Sequence, residues 1–198
     1  MKRTLLLAAV ALMTAATVNA QEGYDDTKHE MAVTYGYLAN SQWIDVLEEI
    51  TTVMFGAKYE NEKYFGPLTA EYFYHAKNWL GVGGIFAYGR NTQDIYTAGT
   101  KDGKYTHNYF TLMPAVKFDW LRKKCFGMYS KLAVGATLRT ESIDCDTPGA
   151  NTDTESAVHV NWQASLLGLE AGSPQVRGFV EFGFGEQGIA LIGVRYKF

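Results

Sequence analysis

After its first twenty residues, the chain lacks any long apolar run. No later segment approaches the roughly eighteen apolar residues of a membrane-spanning helix. The sequence has only two cysteines and four prolines, and it contains no glycine-rich phosphate loop, His-Glu-x-x-His motif or Cys-x-x-Cys pair. Basic charge is not in excess either, since 18 Lys and Arg stand against 21 Asp and Glu. We therefore expect no helical membrane domain and no nucleic-acid partner.

The first twenty residues have the layout of a secretory signal peptide. Lys2 and Arg3 form a basic start, residues 5–13 are apolar, and Val18-Asn19-Ala20 is a small-residue cleavage site. We predict a cleaved signal peptide over 1–20, a periplasmic N-terminal segment over 21–30 and one domain over 31–198. An uncleaved N-terminal anchor is the alternative. Cleavage removes two basic and no acidic residues, which leaves 16 against 21 and a formal charge of −5.

The last ten residues are the most informative part of the sequence. Side chains in a strand alternate between two faces. One face of this segment is entirely apolar and consists of Ala190, Ile192, Val194, Tyr196 and Phe198. The opposite face carries Arg195 and Lys197. An apolar face needs an apolar solvent and a charged face a polar one, and a strand of a transmembrane barrel meets both needs.

Seven earlier segments alternate in the same way. The eight predicted strands cover 31–39, 66–75, 80–90, 105–120, 126–141, 157–169, 176–185 and 189–198. Segments of about ten residues cross the hydrocarbon when tilted. The fold class that we predict is therefore all-β, an eight-stranded antiparallel transmembrane up-and-down β-barrel.

The predicted connections alternate in length. Long ones over 40–64, 91–104 and 142–156 are expected to face outward, and short ones near 76–79, 121–125 and 171–175 to face the periplasm. The connection 186–188 is an outward loop of unusual shortness. Two irregularities are expected inside strands: a bulge at Pro114, which cannot donate to the ladder, and a slip of the alternation at residues 167–169.

The first long connection contains one predicted helix, the short helix of the first extracellular loop. Ser41 is a suitable N-cap and Gly56 can end the helix. Helical spacing places four apolar residues on one stripe: Trp43, Leu47, Ile50 and Met54. This stripe is a candidate lid or partner-docking surface, and the alternative is a helix that merely packs over the barrel mouth.

The inward faces carry many charges for so small a barrel. Buried charges need partners because their desolvation is costly, so we expect a network of ion pairs in the lumen. Its predicted members are Glu71, Lys117, Asp119, Lys131, Arg139, Glu141, Arg177, Glu181, Arg195 and Lys197. The register of the last hairpin brings Glu181 diagonally near Arg195. Such a network would fill and specify the barrel, and a narrow pore is the alternative.

Three histidines, His75, His107 and His159, are also expected to point inward. His107, Arg139 and His159 fall on one row near the outer mouth, but an arginine between two histidines makes a poor cation site. We therefore expect polar filling there, with no metal and no cofactor. Ser156 and His159 could belong to a hydrolase, yet no third, orienting group is evident.

The two cysteines are expected to be unpaired. Cys125 precedes the fifth predicted strand, and Cys145 follows it. The two ends of one strand are farther apart than a disulfide can reach.

These features resemble the small eight-stranded outer-membrane barrels of Gram-negative bacteria, the group of OmpX, OmpW and the membrane domain of OmpA. The resemblance rests on the signal peptide, the alternating strands and the terminal residues 193–198. The hairpin 178–188 also resembles those of exported barrel-domain proteins. The first-loop helix departs from the protruding strands of OmpX.

The resemblance implies a place in the outer membrane among lipids and lipopolysaccharide. It also implies insertion by the barrel-assembly machinery, which would recognise Tyr196 and Phe198 as an assembly signal. It brings no catalytic residues. We therefore predict a structural or surface-interaction role without catalysis. The alternatives are a narrow pore or transporter for small or apolar molecules, a lipid-modifying enzyme, and a soluble ligand-carrying barrel.

Overall fold

Eight antiparallel strands form one closed sheet in the part of the chain that the computed structural model describes, residues 25–39, 58–97, 100–145 and 154–198. Each strand pairs with its neighbours in the sequence, and the first pairs with the last. This confirms the predicted up-and-down barrel. The strands are β1 (His29–Tyr37), β2 (Lys58–Lys77), β3 (Leu80–Thr97), β4 (Thr100–Arg122), β5 (Phe126–Cys145), β6 (Thr154–Gly172), β7 (Val176–Gly185) and β8 (Ala190–Lys197).

Helices contribute nothing to this sheet. Across the described residues, no helix has the length and apolar character needed to cross a membrane. The predicted loop helix, with Trp43, Leu47, Ile50 and Met54, lies outside the described residues and stays a prediction.

The strands differ greatly in length. β1, β7 and β8 have 9, 10 and 8 residues, whereas β2 to β6 have 18 to 23. We call the end with the β2–β3, β4–β5 and β6–β7 turns the short-turn end. The opposite end, where β2 to β6 continue beyond the other strands, is the long-strand end. The five neighbouring strands β2 to β6 therefore extend beyond the closed part of the barrel, and they do so at the long-strand end only.

This asymmetry corrects the predicted connections. Residues 91–97 belong to β3 and residues 100–104 to β4, so most of the predicted loop 91–104 is a hairpin. In the predicted loops 40–64 and 142–156, residues 58–64, 142–145 and 154–156 also belong to strands. Residues such as Asn91, Thr92 and Gln93 carry no apolar alternation, because a strand beyond the barrel body has no apolar solvent to face. Strands therefore protrude at this end, while the first-loop helix that was expected to depart from this pattern lies outside the described residues.

Pro114 is accommodated without the predicted bulge. Pairing between β4 and β5 stops after Leu112↔Ala136 and resumes at Ala115↔Ala133 with the same register. β5 approaches β4 very closely beside Pro114, since a Cβ added to Gly135 of β5 would lie 2.1 Å from the carbonyl oxygen of Leu112 in β4. A glycine in β5 therefore lets the interrupted ladder stay in register.

The slip predicted at residues 167–169 is a local irregularity inside β6 rather than its end. The register between β6 and β7 shifts between Ser165 and Leu167, and the hydroxyl of Ser130 donates to the carbonyl oxygen of Leu166 at 2.6 Å. Beyond this point β6 continues to Gly172. The strand is therefore three residues longer than predicted at this end.

The barrel closes where β1 meets β8. The backbone of His29 exchanges two hydrogen bonds of 2.9 Å with that of Phe198. The ring of His29 also stacks on the ring of Phe198, with centroids 5.4 Å apart. β1 begins at His29, two residues before the predicted start, so the first strand residue and the last residue of the chain lie together.

The cysteines lie at the two ends of β5, as predicted. Cys125 is a free thiol just before β5, and Cys145 is the last residue of that strand. At about 3.3 Å per residue, a strand of this length separates its ends by roughly 60 Å. A disulfide between them is therefore excluded.

Candidate functional site

The wall of the barrel separates an apolar exterior from a charged interior. On β5, Val134 is 60% exposed while Lys131 is fully buried. On β7, Phe182 is 52% exposed while Glu181 is fully buried. A soluble barrel that carries an apolar ligand would show the reverse order. Charged side chains are therefore concentrated in the interior, and the exterior requires an apolar solvent.

The middle of the lumen is organised around Lys131. Its ammonium group donates to Oε1 of Glu71 at 2.5 Å and lies 2.9 Å from Oε2 of Glu181. Glu181 also accepts hydrogen bonds from the hydroxyl of Tyr129 at 2.6 Å and from that of Ser165 at 2.7 Å. Each buried charge is thus met by opposite charge or by a donor, which is the condition for burying it.

Arg195 occupies the lumen between two aromatic rings. Its guanidinium carbon lies 4.6 Å from the ring centre of Tyr129 and 4.4 Å from that of Phe179. Its Nη2 is 3.8 Å from Oε1 of Glu181, so the contact predicted from the hairpin register is confirmed. The closest carboxylate is nevertheless Glu170, which accepts a hydrogen bond from Nη1 of Arg195. Glu170 was not among the residues predicted from the sequence.

Glu170 joins the basic residues near the short-turn end. Its Oε1 accepts hydrogen bonds of 2.5 Å from Nζ of Lys197 and from Nη1 of Arg177. Glu30 has a similar role, because it accepts a hydrogen bond of 2.7 Å from Nζ of Lys117. Both carboxylates are 1% exposed. The predicted basic residues were therefore right, but two of their main acidic partners were not foreseen.

His75 lies between two of these carboxylates. Its Nε2 is 3.2 Å from Oε2 of Glu30, and its Nδ1 is 3.2 Å from Oδ2 of Asp119. The side chain is buried, as predicted. The imidazole links an acid on β1 to an acid on β4 and so belongs to the same network.

The N-terminal segment supplies a further carboxylate. Asp25 is only 4% exposed, although it precedes β1. Its Oδ2 lies 2.9 Å from Nζ of Lys197 and 3.0 Å from Nη2 of Arg177. Burial raises the pKa of Asp25, but the charges of Lys197 and Arg122 and the hydrogen bonds from Thr27 and Lys197 outweigh it, so the pKa lies below its ordinary value. Asp25 is therefore held as a carboxylate.

The turn between β7 and β8 closes the lumen from the long-strand end. Gln187 is fully buried and donates through Nε2 to Thr69 at 3.0 Å and to Glu71 at 2.7 Å. Glu186 accepts hydrogen bonds from Thr111 at 3.1 Å and from Asn161 at 2.7 Å. The short connection predicted as an outward loop thus folds its side chains into the barrel.

A smaller polar group lies beyond this turn. Nε of Arg139 is 2.9 Å from Oε1 of Glu141, and Nη2 of Arg139 is 3.3 Å from Nε2 of His107. Glu141 is half-buried, while His107 is buried. His159 pairs with the buried Thr137 and so lies on the inward face of β6, as predicted, but its side chain is exposed. It stands on β6 above the level where β7 ends.

Acids and bases in the main network balance one another. Apart from the imidazole of His75, the described part of the network joins six carboxylates to six Lys or Arg side chains by contacts within 4 Å. The acids are Asp25, Glu30, Glu71, Asp119, Glu170 and Glu181, and the bases are Lys117, Arg122, Lys131, Arg177, Arg195 and Lys197. Within the same described residues, no three His, Cys, Asp or Glu side chains form a cluster suited to a metal ion. The arrangement suits a tightly filled interior.

The missed members share one cause. Glu30 and Glu170 lie just outside the predicted strand boundaries, and Asp25 precedes the barrel in the sequence. Extending the alternation of β1 backwards from Ala32 would have placed Glu30 inside. Glu170 could not be placed by counting alone, because the irregularity at Leu166 changes which residues face the lumen.

Comparison with known proteins adds little beyond the architecture. No family model matches the chain, and no curated protein sequence matches it. The barrel is similar to a crystal structure of Ail, the attachment invasion locus protein of Yersinia pestis, in complex with the heparin analogue sucrose octasulfate. The identity is 14% over 86% of this chain and 99% of that chain, with a TM-score of 0.47. A second crystal structure of Ail gives 14% identity, 87% and 99% coverage and a TM-score of 0.45.

Proposed function

We propose that the chain is an integral outer-membrane β-barrel that has a closed lumen, performs no catalysis and acts through surface interactions at its long-strand end. Outer-membrane lipids and lipopolysaccharide would surround the apolar exterior. The barrel-assembly machinery would insert the chain by recognising the terminal strand with Tyr196 and Phe198. The N-terminus and the short turns would lie in the periplasm, and the long strands would face outward.

The observation that carries this proposal is the filling of the lumen. Lys131, Glu71 and Glu181 meet in the middle of the barrel with no exposed side-chain surface. Gln187 covers Glu71 from the long-strand end, and Asp25 covers Lys197 from the short-turn end. An ion that crossed the barrel would have to break several of these contacts in succession. This favours the closed barrel over the narrow pore or transporter.

The long-strand end supports a role in surface interaction. β6 pairs with β5 from Thr154 onward, but its pairing with β7 begins only at Gln163. Within the described residues, the outer part of β6 therefore has a strand partner on one side only. The consecutive residues 156–160 are all exposed, with Val158 at 69% and Val160 at 83%. An exposed, uncharged strand edge is a template on which an extended segment of another protein can pair.

Conductance tests the closed lumen. We expect the purified protein, reconstituted in a planar bilayer, to show no steady ohmic current. A sustained current in the wild type would contradict the closed barrel and favour the pore. A changed lipid A profile on overexpression would instead favour the lipid-modifying enzyme.

Surface display can be tested by thiol labelling on intact cells. In a background with Cys125 and Cys145 replaced by serine, Val158→Cys should react with a membrane-impermeant maleimide. Lys77→Cys, at the short-turn end, is the matched control and should react only after the cells are lysed. Labelling of position 77 but not 158 on intact cells would reverse the proposed orientation. Labelling of neither would contradict surface exposure.

A further inference from the structure

The N-terminal segment is fixed across the short-turn end of the barrel. The carbonyl oxygen of Lys28 accepts a hydrogen bond of 2.7 Å from the backbone N–H of His75, which extends the pairing of β1 with β2. Asp25 is buried, whereas its neighbour Asp26 is exposed. The direction of the two carboxylates is therefore specific: one enters the barrel and the other faces solvent.

Three cations converge on one oxygen of Asp25. Oδ2 lies 2.9 Å from Nζ of Lys197, 3.0 Å from Nη2 of Arg177 and 3.7 Å from Nε of Arg122. Lys197, Arg177 and Arg122 come from β8, β7 and the end of β4, and each is at most 3% exposed. Oδ1 accepts hydrogen bonds from the backbone N–H of Thr27 at 3.1 Å and from its hydroxyl at 2.5 Å.

Arg122 interacts specifically with the N-terminal segment. Among the described residues, its ion pair and its side-chain hydrogen bonds go to residues 25 and 27: Asp25, and the carbonyl and hydroxyl oxygens of Thr27. Arg177 and Lys197 differ, because both also contact Glu170. Without Asp25, the main network would hold five carboxylates and six bases, and Arg122 would be the base that loses its acid.

We propose that Arg122, Arg177 and Lys197 form a carboxylate-binding pocket at the short-turn end, and that Asp25 is its tethered ligand. The ligand class is a single carboxylate without a bulky substituent, since the three cations meet at one buried point. Tethering keeps the effective concentration of the Asp25 carboxylate high, so the pocket is filled from within the chain. A carboxylate from outside can enter only when the N-terminal segment leaves. This inference goes beyond the proposed function and does not depend on it.

Chemical rescue tests the pocket. In Asp25→Ala the carboxylate is gone and the pocket has room for formate. We expect the unfolding midpoint of the refolded protein in detergent, followed by heat-modifiable gel mobility, to fall by about 6 to 12 °C, because three buried bases lose a partner. Sodium formate should restore most of this loss, and sodium chloride at equal ionic strength should not.

Two variants serve as matched controls. Asp26→Ala removes the neighbouring exposed carboxylate and should leave the midpoint unchanged in either salt. Asp25→Asn keeps the side-chain volume, so its midpoint should fall without recovering in formate. If Asp25→Ala refolds poorly, the yield of folded barrel in formate against chloride becomes the measurement. Equal midpoints for the Asp25→Ala and Asp26→Ala variants, or equal rescue by chloride and formate, would overturn the proposal.

Discussion

The ammonium group of Lys131 lies 2.9 Å from Oε2 of Glu181, on strands that are separated by β6 in the barrel wall. Lys131 also contacts Glu71 from β2 at 2.5 Å. Lys131 therefore connects β2, β5 and β7 through the lumen. Its removal should affect the whole barrel rather than one strand.

Replacing Lys131 by methionine should destabilise the barrel strongly. The change removes the base closest to both Glu71 and Glu181 and leaves them with the more distant Arg195, at an expected cost of about 3–5 kcal/mol. Denaturant unfolding in detergent measures the loss. Leu132→Met changes the neighbouring outward residue, which is 49% exposed, and should cost less than about 1.5 kcal/mol. Adding Glu181→Gln to Lys131→Met should recover part of the loss, and a double variant weaker than the single one would contradict the pairing.

Gly135 should not tolerate a side chain. An added Cβ would lie 2.1 Å from the oxygen of Leu112 and 2.6 Å from Cα of Met113, which are backbone atoms that cannot turn aside. Gly135→Ala should therefore cost about 1–3 kcal/mol in denaturant unfolding. At Gly178, by contrast, the nearest atom to an added Cβ is 4.0 Å away. Similar stability of the Gly135→Ala and Gly178→Ala variants would refute this view of the strand next to Pro114.

Asp25 should make part of the stability depend on pH. Its folded pKa is below the ordinary value, so its contribution is fully present above the unfolded pKa of about 3.9 and is lost as the pH falls through the folded pKa. The charged groups that face it are Arg122 on β4, Arg177 on β7 and Lys197 on β8, with Glu170 on β6 beside them. Unfolding midpoints of the wild type and Asp25→Asn should differ by a constant amount from neutral pH to about 5 and converge in more acidic solution. Convergence already near neutral pH would contradict the lowered pKa.

Phe198 should have two separable effects. Stacking on His29 contributes about 0.5–1.5 kcal/mol, so Phe198→Ala and His29→Ala should lower the stability of the refolded barrel by similar amounts. If Phe198 is also an assembly signal, only Phe198→Ala should reduce the amount of barrel in the membrane fraction of cells. Phe198→Tyr keeps the ring and should behave like the wild type in both assays. Equal membrane yields for Phe198→Ala and His29→Ala would argue against the signal.

The sequence predicted the closed barrel because each membrane-sized strand segment alternates between apolar and polar faces. It failed where that alternation is absent or interrupted. The parts of β2 to β6 that were taken for loops are mostly polar and show no apolar alternation. At Pro114, the ladder between β4 and β5 loses two residue pairs without a bulge. This is possible because Gly135, which is distant in the sequence, lets the two backbones approach closely. Such compensation between strands cannot be seen along one segment.

The charged interior was predicted in kind but not in detail. Strand parity placed Lys131, Arg177 and Glu181 correctly, because each lies within a regular stretch. Asp25 and Gln187 were not foreseen, since they reach the lumen from segments outside the strands. Strand periodicity describes the wall of a barrel and contains no information on what closes its two ends.

The matched acids and bases of the lumen also restrict how such a sequence can diverge. A neutral replacement at position 181 leaves Lys131 with a single acid, and a neutral replacement at position 131 leaves two acids opposed. Evolutionary drift inside the barrel should therefore proceed by compensatory exchanges between β5 and β7, while outward residues such as Val134 change independently. Homologues of this protein should show their strongest covariation between residues of different strands that meet in the lumen, rather than along any one strand.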